Sequence, residues 1–323
     1  MPATNPQAGD VHVSRPITQF SEKFILDNGV FVGMGAMPNV PVQFQFDQYY
    51  KYNIGDWLRR PGAGVIRADG AESAGVSWKM STGTYSAVVR ALHKDVSDRQ
   101  RANQDEGIDL DRDAAEFVTQ QLLIEREALF AATYMATGVW TASDQNVDWS
   151  AAASDPINDI RQAARIIQGR TGYRPNRFTI ARRGFDTLME NDSVIARISG
   201  GATQSAPAKV NKALLAALLE VDEINVMESV QNSALEGATD AIDFIAPDNA
   251  LLYYAPRTVA IGTVTAGIQF SWRGYVGATP SGQRTKKFRM PHLESDRVEV
   301  DMAFDYKVVA PSLGYLFTTV SQP

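Results

Sequence analysis

The chain has 323 residues, 44% of them hydrophobic and 21% charged, which excludes a disordered polypeptide and allows one large domain or two smaller ones. A net charge of −6 and a sequence pI near 5.2 exclude a broad basic surface that grips nucleic acid, although an acidic inner wall can still enclose it. With no cysteine there are no disulfides, no thiolate metal sites and no cysteine nucleophile.

The polar start, residues 1–10, lacks a basic segment followed by an apolar run, so neither a signal peptide nor a removed leading segment is expected. No stretch approaches the ~18 apolar residues of a membrane helix. Residues 1–50 carry Pro16, Pro38 and Pro41 between short apolar runs and read as an extended arm with little to bury locally. Residues 51–105 read as a long hairpin. It has a bend at Arg60-Pro61-Gly62, a tip rich in turn formers at 69–75, and a run of strand-favouring residues over 76–92. Neither face of that run is clearly apolar, and a hairpin without its own core is marginal alone. Together, stretches 1–105 are expected to bury themselves on copies of the same molecule.

The strongest helix signal covers 111–137. Asp109 or Asp111 caps it, Asp113 and Glu116 complement the dipole, and Gly138 is placed to end it. Its apolar rows are Ala115, Val118, Leu122, Leu129 and Ala132, then Phe117, Ile124, Ala128 and Met135. Residues 155–284 read as a separate α/β block. A helix opens at Asp155-Pro156 and is expected to close before Gly169, and further helices are expected at 182–190 and 209–219. Strands are expected at 178–180, 223–228, 242–246 and 250–254, with a mobile Gly/Ser/Ala loop at 199–207. Residues 285–323 read as β, because Val298, Val300, Met302 and Phe304 alternate with Glu299, Asp301, Ala303 and Asp305, and a last strand covers 315–320.

Catalytic patterns are scarce. His12, His93 and His292 share no metal-ligand spacing, and neither a phosphate-binding loop nor a nucleophile elbow occurs. Gly33-Met34-Gly35 opens like a dinucleotide fingerprint, but Pro38 stands where the third glycine belongs. Asp109-Leu110-Asp111-Arg112-Asp113 opens like a calcium loop, but Ala114 and Gln120 occupy the required Gly and Glu positions, so helix capping is the better reading. No enzyme activity, cofactor or metal is expected.

Charge is more informative. Residues 51–101 hold nine basic side chains against five acidic ones, and residues 105–128 hold eight acids against two arginines. A positive hairpin and a negative helix are complementary surfaces on one chain. Arg59, Arg60, Arg67, Lys79, Arg99 and Arg101 are candidate contacts on one side, and Asp109, Asp111, Asp113 and Glu116 on the other. The alternatives are that both faces are solvated or that they meet within one subunit. A second basic cluster, Arg284, Lys286, Lys287 and Arg289, reads by default as solvated surface.

The order of arm, hairpin, long helix, α/β block and β return resembles the Hong Kong 97-type (HK97-like) major capsid proteins of tailed double-stranded DNA phages. The stretches that carry the resemblance are Tyr52-Asn53-Ile54-Gly55-Asp56-Trp57, Arg67-Ala68-Asp69-Gly70-Ala71-Glu72, Lys94-Asp95-Val96-Ser97-Asp98-Arg99, Phe117-Val118-Thr119-Gln120-Gln121-Leu122, Thr171-Gly172-Tyr173-Arg174-Pro175-Asn176, Phe270-Ser271-Trp272-Arg273 and Asp296-Arg297-Val298-Glu299. They span nearly the whole chain in that order.

The resemblance implies an α+β capsid fold. Its parts would be an N-terminal arm (1–50), an extended β-hairpin loop or E-loop (51–105), a peripheral domain with a spine helix (106–154), an axial domain (155–284) and a peripheral β return (285–323). It implies pentamers and hexamers closing an icosahedral virion shell around double-stranded DNA after assembly in the host cytoplasm. A portal is implied as a partner, with scaffolding and cement proteins as further candidates. The hairpin would lie over the neighbour's long helix. Some relatives weld subunits through Lys–Asn isopeptide bonds. The last asparagine here is Asn249 and the tip at 69–75 lacks lysine, so no weld is expected. The rival readings are a bacterial nanocompartment (encapsulin-type) shell and a cytosolic α/β enzyme.

Overall fold

The computed structural model describes residues 26–103, 109–144, 146–199, 211–260, 262–275 and 277–321. In chain order, β1 (Asn39–Val42) precedes a projecting hairpin of β2 (Phe46–Tyr52) and β3 (Met80–Ser86), with one helical turn, α1 (Ile54–Trp57), between them. β4 (Val88–Ser97) and α2 (Asp98–Ala102) lead to the long helix α3 (Leu110–Tyr134). The middle comprises β5 (Ala142–Asp144), α4 (Pro156–Thr171), β6 (Arg177–Ala181), α5 (Arg182–Glu190), α6 (Asp192–Ser199), α7 (Lys212–Leu219), β7 (Glu223–Met227), β8 (Val230–Asn232), β9 (Ile242–Phe244) and β10 (Ala250–Tyr253). β11 (Gly267–Trp272), β12 (Gln283–Met290), β13 (Ser295–Val308) and β14 (Gly314–Phe317) complete it.

Two five-stranded sheets organise these elements. The first runs β1-β11-β13-β12, with β4 on the opposite side of β13. The second runs β5-β14-β10-β6-β7. One apolar core serves both: Phe130 and Tyr134 of α3 and Met302 and Phe304 of β13 are continuous with Ile160, Phe178, Leu251 and Phe317.

The sheets correct several expected boundaries. Strand pairing in the hairpin starts at Phe46 rather than beyond residue 51, and its second strand stops at Ser86. The expected strand over 76–92 breaks at the fully buried Ala87, and β4 turns away to pair with β13. β11 and the start of β12 belong to the first sheet, so the 155–284 block does not close on itself. β14 crosses back to pair with β10, so the end of the chain completes the second sheet rather than the first.

The arm is also corrected in part. Residues 1–25 lie outside the described residues. Phe31, Val32, Ala36 and Met37 are buried in the subunit's own core, and β1 pairs in parallel with β11. This segment therefore buries itself at home, with a strand edge and a core pocket to take it. The loop expected at 199–207 lies, from residue 200 on, outside the described residues.

Helix ends follow local chemistry. Asp109 caps α3 through the Asp111 and Arg112 amides. The helix ends before Gly138, because its last carbonyls are taken by other side chains: Trp140 Nε1 donates to Tyr134 O and Asn249 Nδ2 to Met135 O, both at 2.7 Å. Its buried stripe is Val118, Leu122, Leu123, Phe130 and Ala131, joined by Arg126 and Glu127, while Phe117 and Ala132 of the expected rows are exposed. Asp155 and Pro156 open α4 as expected, but the helix runs through Gly169 to Thr171. Gly172, at φ 78°, is the residue that takes the left-handed cap.

Candidate assembly surface

The β2–β3 hairpin is anchored at its base by Tyr85 and Tyr49 against Phe270 of β11, and carries its other large apolar side chains outside. Trp57 is 65% exposed, Ile66 81%, Val76 86% and Trp78 61%. Beyond that base its contacts are local. Asn53 caps α1 through Gly55 N–H, Asp56 accepts from Lys79 N–H at 2.9 Å, and the rings of Tyr52, Trp57 and Trp78 meet with centroids 6.1 and 6.0 Å apart. At 25 cal/mol per Å² or so, leaving such side chains in water forgoes on the order of 2 kcal/mol each. Exposed apolar side chains in this number make the hairpin the candidate interaction surface.

The charged candidates divide. Arg60, Arg67, Lys79 and Arg99 are exposed, and Arg59 lies 3.5 Å from Asp56 on its own hairpin. Arg67 Nε donates to Ala71 O at the tip. Arg101 and Asp111, expected to face each other between copies, meet within one subunit at 2.6 Å, and Arg101 also binds Asp296. Asp109 is occupied in capping α3, and Glu116 accepts from Arg112 one turn away at 2.7 Å. Asp113 is half-buried in the first turn.

The second basic cluster is also neutralised at home. Arg284 and Lys286 bind Asp301, Lys287 binds Asp111, and Arg289 grips Asp98 with two hydrogen bonds of 2.6 and 2.5 Å. Hydrogen bonds from Arg289 hold the Asp98 carboxyl below its ordinary range, Arg101 does the same for Asp296, and Arg297 for Asp95. The pairing of β12 and β4 with β13 creates these contacts, since it sets Lys287 opposite Val298 and Asp95 opposite Arg297. Sequence counting cannot see such register.

One acid of that count and one arginine counted against it lie in the core and not on a surface. Glu127 and Arg126 are each 1% exposed. The signal was present, because both fall on the stripe defined by Leu122, Leu123, Phe130 and Ala131. Charge counting also passed over the hairpin's exposed Trp57 and Trp78, which alternation could not assign to a core. Among the described residues no group of three or more His, Asp or Glu side chains could hold a metal, and no helix is long and apolar enough to cross a membrane.

The family model described as phage major capsid protein E matches residues 138–279. Among curated relatives, the major capsid protein of Pseudomonas phage JBD67 is 24% identical over 298 residues, covering 90% of this chain and 92% of that one. That of Burkholderia phage BcepMu is 25% identical, covering 71% and 72%. Among solved structures, a phage-related protein from Bordetella bronchiseptica superposes with a TM-score of 0.68 at 18% identity, over 92% of this chain and 94% of that one. The capsid of cyanophage P-SCSP1u gives 0.63 at 10% identity, over 99% and 96%. An encapsulin of Synechococcus elongatus gives 0.55 at 10%, over 96% and 97%.

The two sheets, the long helix and the projecting hairpin together make the Hong Kong 97-type fold. Within that fold the chain is similar to phage major capsid proteins, in the family model's match and along most of the length of two curated relatives, and that similarity supports a structural subunit of a head shell rather than an enzyme.

Proposed function

We propose that this subunit self-assembles into the pentamers and hexamers of an icosahedral head that encloses double-stranded DNA. The observation that carries the reading is the hairpin, which displays Trp57, Ile66, Val76 and Trp78 to solvent and has no core of its own. Its occupant would be the long-helix side of the neighbouring copy, where Phe117 is 57% exposed beside Asp109, Asp113 and Glu116. Arg59, Arg60, Arg67, Lys79 and Arg99 remain the cationic candidates for that contact. Arg101 and Asp111 leave the set, since they satisfy each other. Under this reading the first sheet with α3 serves as the peripheral domain and the second sheet with α4–α7 as the axial domain. A portal fills one vertex, with scaffolding and cement proteins as further partners during assembly in the host cytoplasm.

Negative-stain electron microscopy of the expressed chain tests this. Closed shells or capsomers support it, and a monodisperse monomer refutes it. DNA inside particles purified from their natural source separates a phage head from an encapsulin-type compartment, which would hold protein cargo.

A further inference from the structure

A strap formed by residues 32–36 threads between the two sheets, and its backbone is held by side chains from four elements. Val32 N–H and Gly33 N–H donate to the Glu127 carboxyl of α3, at 3.2 and 2.7 Å. Tyr306 of β13 donates to Gly33 O at 2.7 Å. Arg177 of β6 donates to Gly35 O and Ala36 O at 3.0 and 2.7 Å, and Tyr253 of β10 donates to Ala36 O at 2.8 Å. Gly33 is required here, because a Cβ would lie 2.9 Å from Glu127 Oε2 and 3.2 Å from Tyr306 Oη. Glu127 is 1% exposed and both its carboxyl oxygens accept strap amides, so the docked strap forms part of the cover over the carboxyl.

We propose that docking of the 32–36 strap is coupled to protonation of Glu127, so that the strap releases more readily as the medium turns alkaline.

The groups facing the carboxyl are Arg126 beside it on α3, Tyr306 on β13, the Ser229 hydroxyl from the β7–β8 connection, and the two strap amides. Beyond Tyr306 stand Tyr134 and Arg90. Burial dominates: it pushes Glu127 up to about 7, against the opposing pull of the Gly33 and Val32 amides and Arg126. Tyr306 is pushed up to about 12 by burial and stays neutral across this range. A released strap opens Glu127 toward water and lets it fall toward the ordinary value of 4.5. The docked state therefore holds the proton more tightly. Docking is firmest in mild acid and weakens as pH rises toward and through 7. With those two values the docked-to-released ratio falls roughly tenfold between pH 6 and 8.

Hydrogen exchange of the Val32 and Gly33 amides in the full chain, corrected for intrinsic rates, reads this ratio. The expected result is a roughly tenfold loss of protection from pH 6 to 8 in the wild type. Glu127→Gln should show no such slope. Tyr306→Phe should lower protection at every pH and keep the slope. A flat wild-type profile, or an unchanged slope in Glu127→Gln, overturns the proposal. If Glu127→Gln does not fold, the wild-type Glu127 carboxyl followed by NMR decides: a midpoint near 7 supports the coupling and one near 4.5 refutes it.

Discussion

Arg284 Nη2 lies 2.6 Å from Asp301 Oδ2, one strand across, with the Arg284 guanidinium stacked 3.8 Å from the centroid of the Tyr275 ring. Asp301 is 1% exposed, and Lys286 Nζ approaches the same oxygen at 3.2 Å. Burial would raise the Asp301 carboxyl, but the hydrogen bonds from Arg284 and Lys286 outweigh it and leave the group below its ordinary range. Arg284→Ala removes the principal partner of a buried carboxylate and should cost about 3 kcal/mol, read from urea unfolding. Arg284→Lys should recover part of that loss, because it restores the charge and not the stacked plane.

The subunit's pH dependence should have two sides. Asp95, Asp98, Asp296 and Asp301 are depressed by their arginine and lysine partners. Their contribution is present above the ordinary carboxylate range and lost as pH falls through the depressed values. Glu127 acts in the opposite sense, favouring the fold below its ordinary range and withdrawing that support as pH rises through about 7. Urea midpoints measured from pH 3 to 8 should peak between the two limbs, and added salt should flatten the acid limb.

Gly282 sits at φ +75°, and a Cβ there would lie 2.3 Å from the carbonyl oxygen of Ala303. Its own carbonyl accepts from Ala303 N–H at 2.8 Å. Gly282→Ala thus meets both backbone strain and a backbone clash where the chain enters β12. It should lower stability by about 2–3 kcal/mol in thermal unfolding.

Trp57→Ala with Trp78→Ala should leave the melting temperature of the isolated subunit within a few degrees of wild type, since both rings are largely in water. Sedimentation or light scattering should show a marked loss of particles. Charge reversal at Arg59, Arg60 and Arg99 should slow assembly most at low salt. Normal assembly of both variants would remove the hairpin from the interface.

Particles boiled in denaturant should run as a single monomer band. A ladder of covalent multimers would show a weld that neither Asn249 nor the lysine-free tip at 69–75 explains.

Much of this protein was legible in its residues. Asp109, Asp155 and Pro156 announce two helix starts through capping chemistry that acts within one turn, and the structure keeps all three. Alternation over 298–304 identifies β13 as a strand, but the expected outward residues Asp301 and Ala303 are buried too, Asp301 against Arg284 and Lys286. Composition and charge removed the cysteine, membrane-helix and basic-surface classes. The tertiary structure decided what depends on register and long-range contact. It broke the 76–92 run at Ala87, sent β14 back to the second sheet, and turned Glu127 from a counted surface charge into the buried clamp of a strap 94 residues away. It also paired Arg101 with Asp111 in the same subunit rather than across copies. The physical reason is range. Caps and periodicity are settled by neighbours a few residues apart, while partner choice is settled by whichever distant strand or helix the shared core brings alongside.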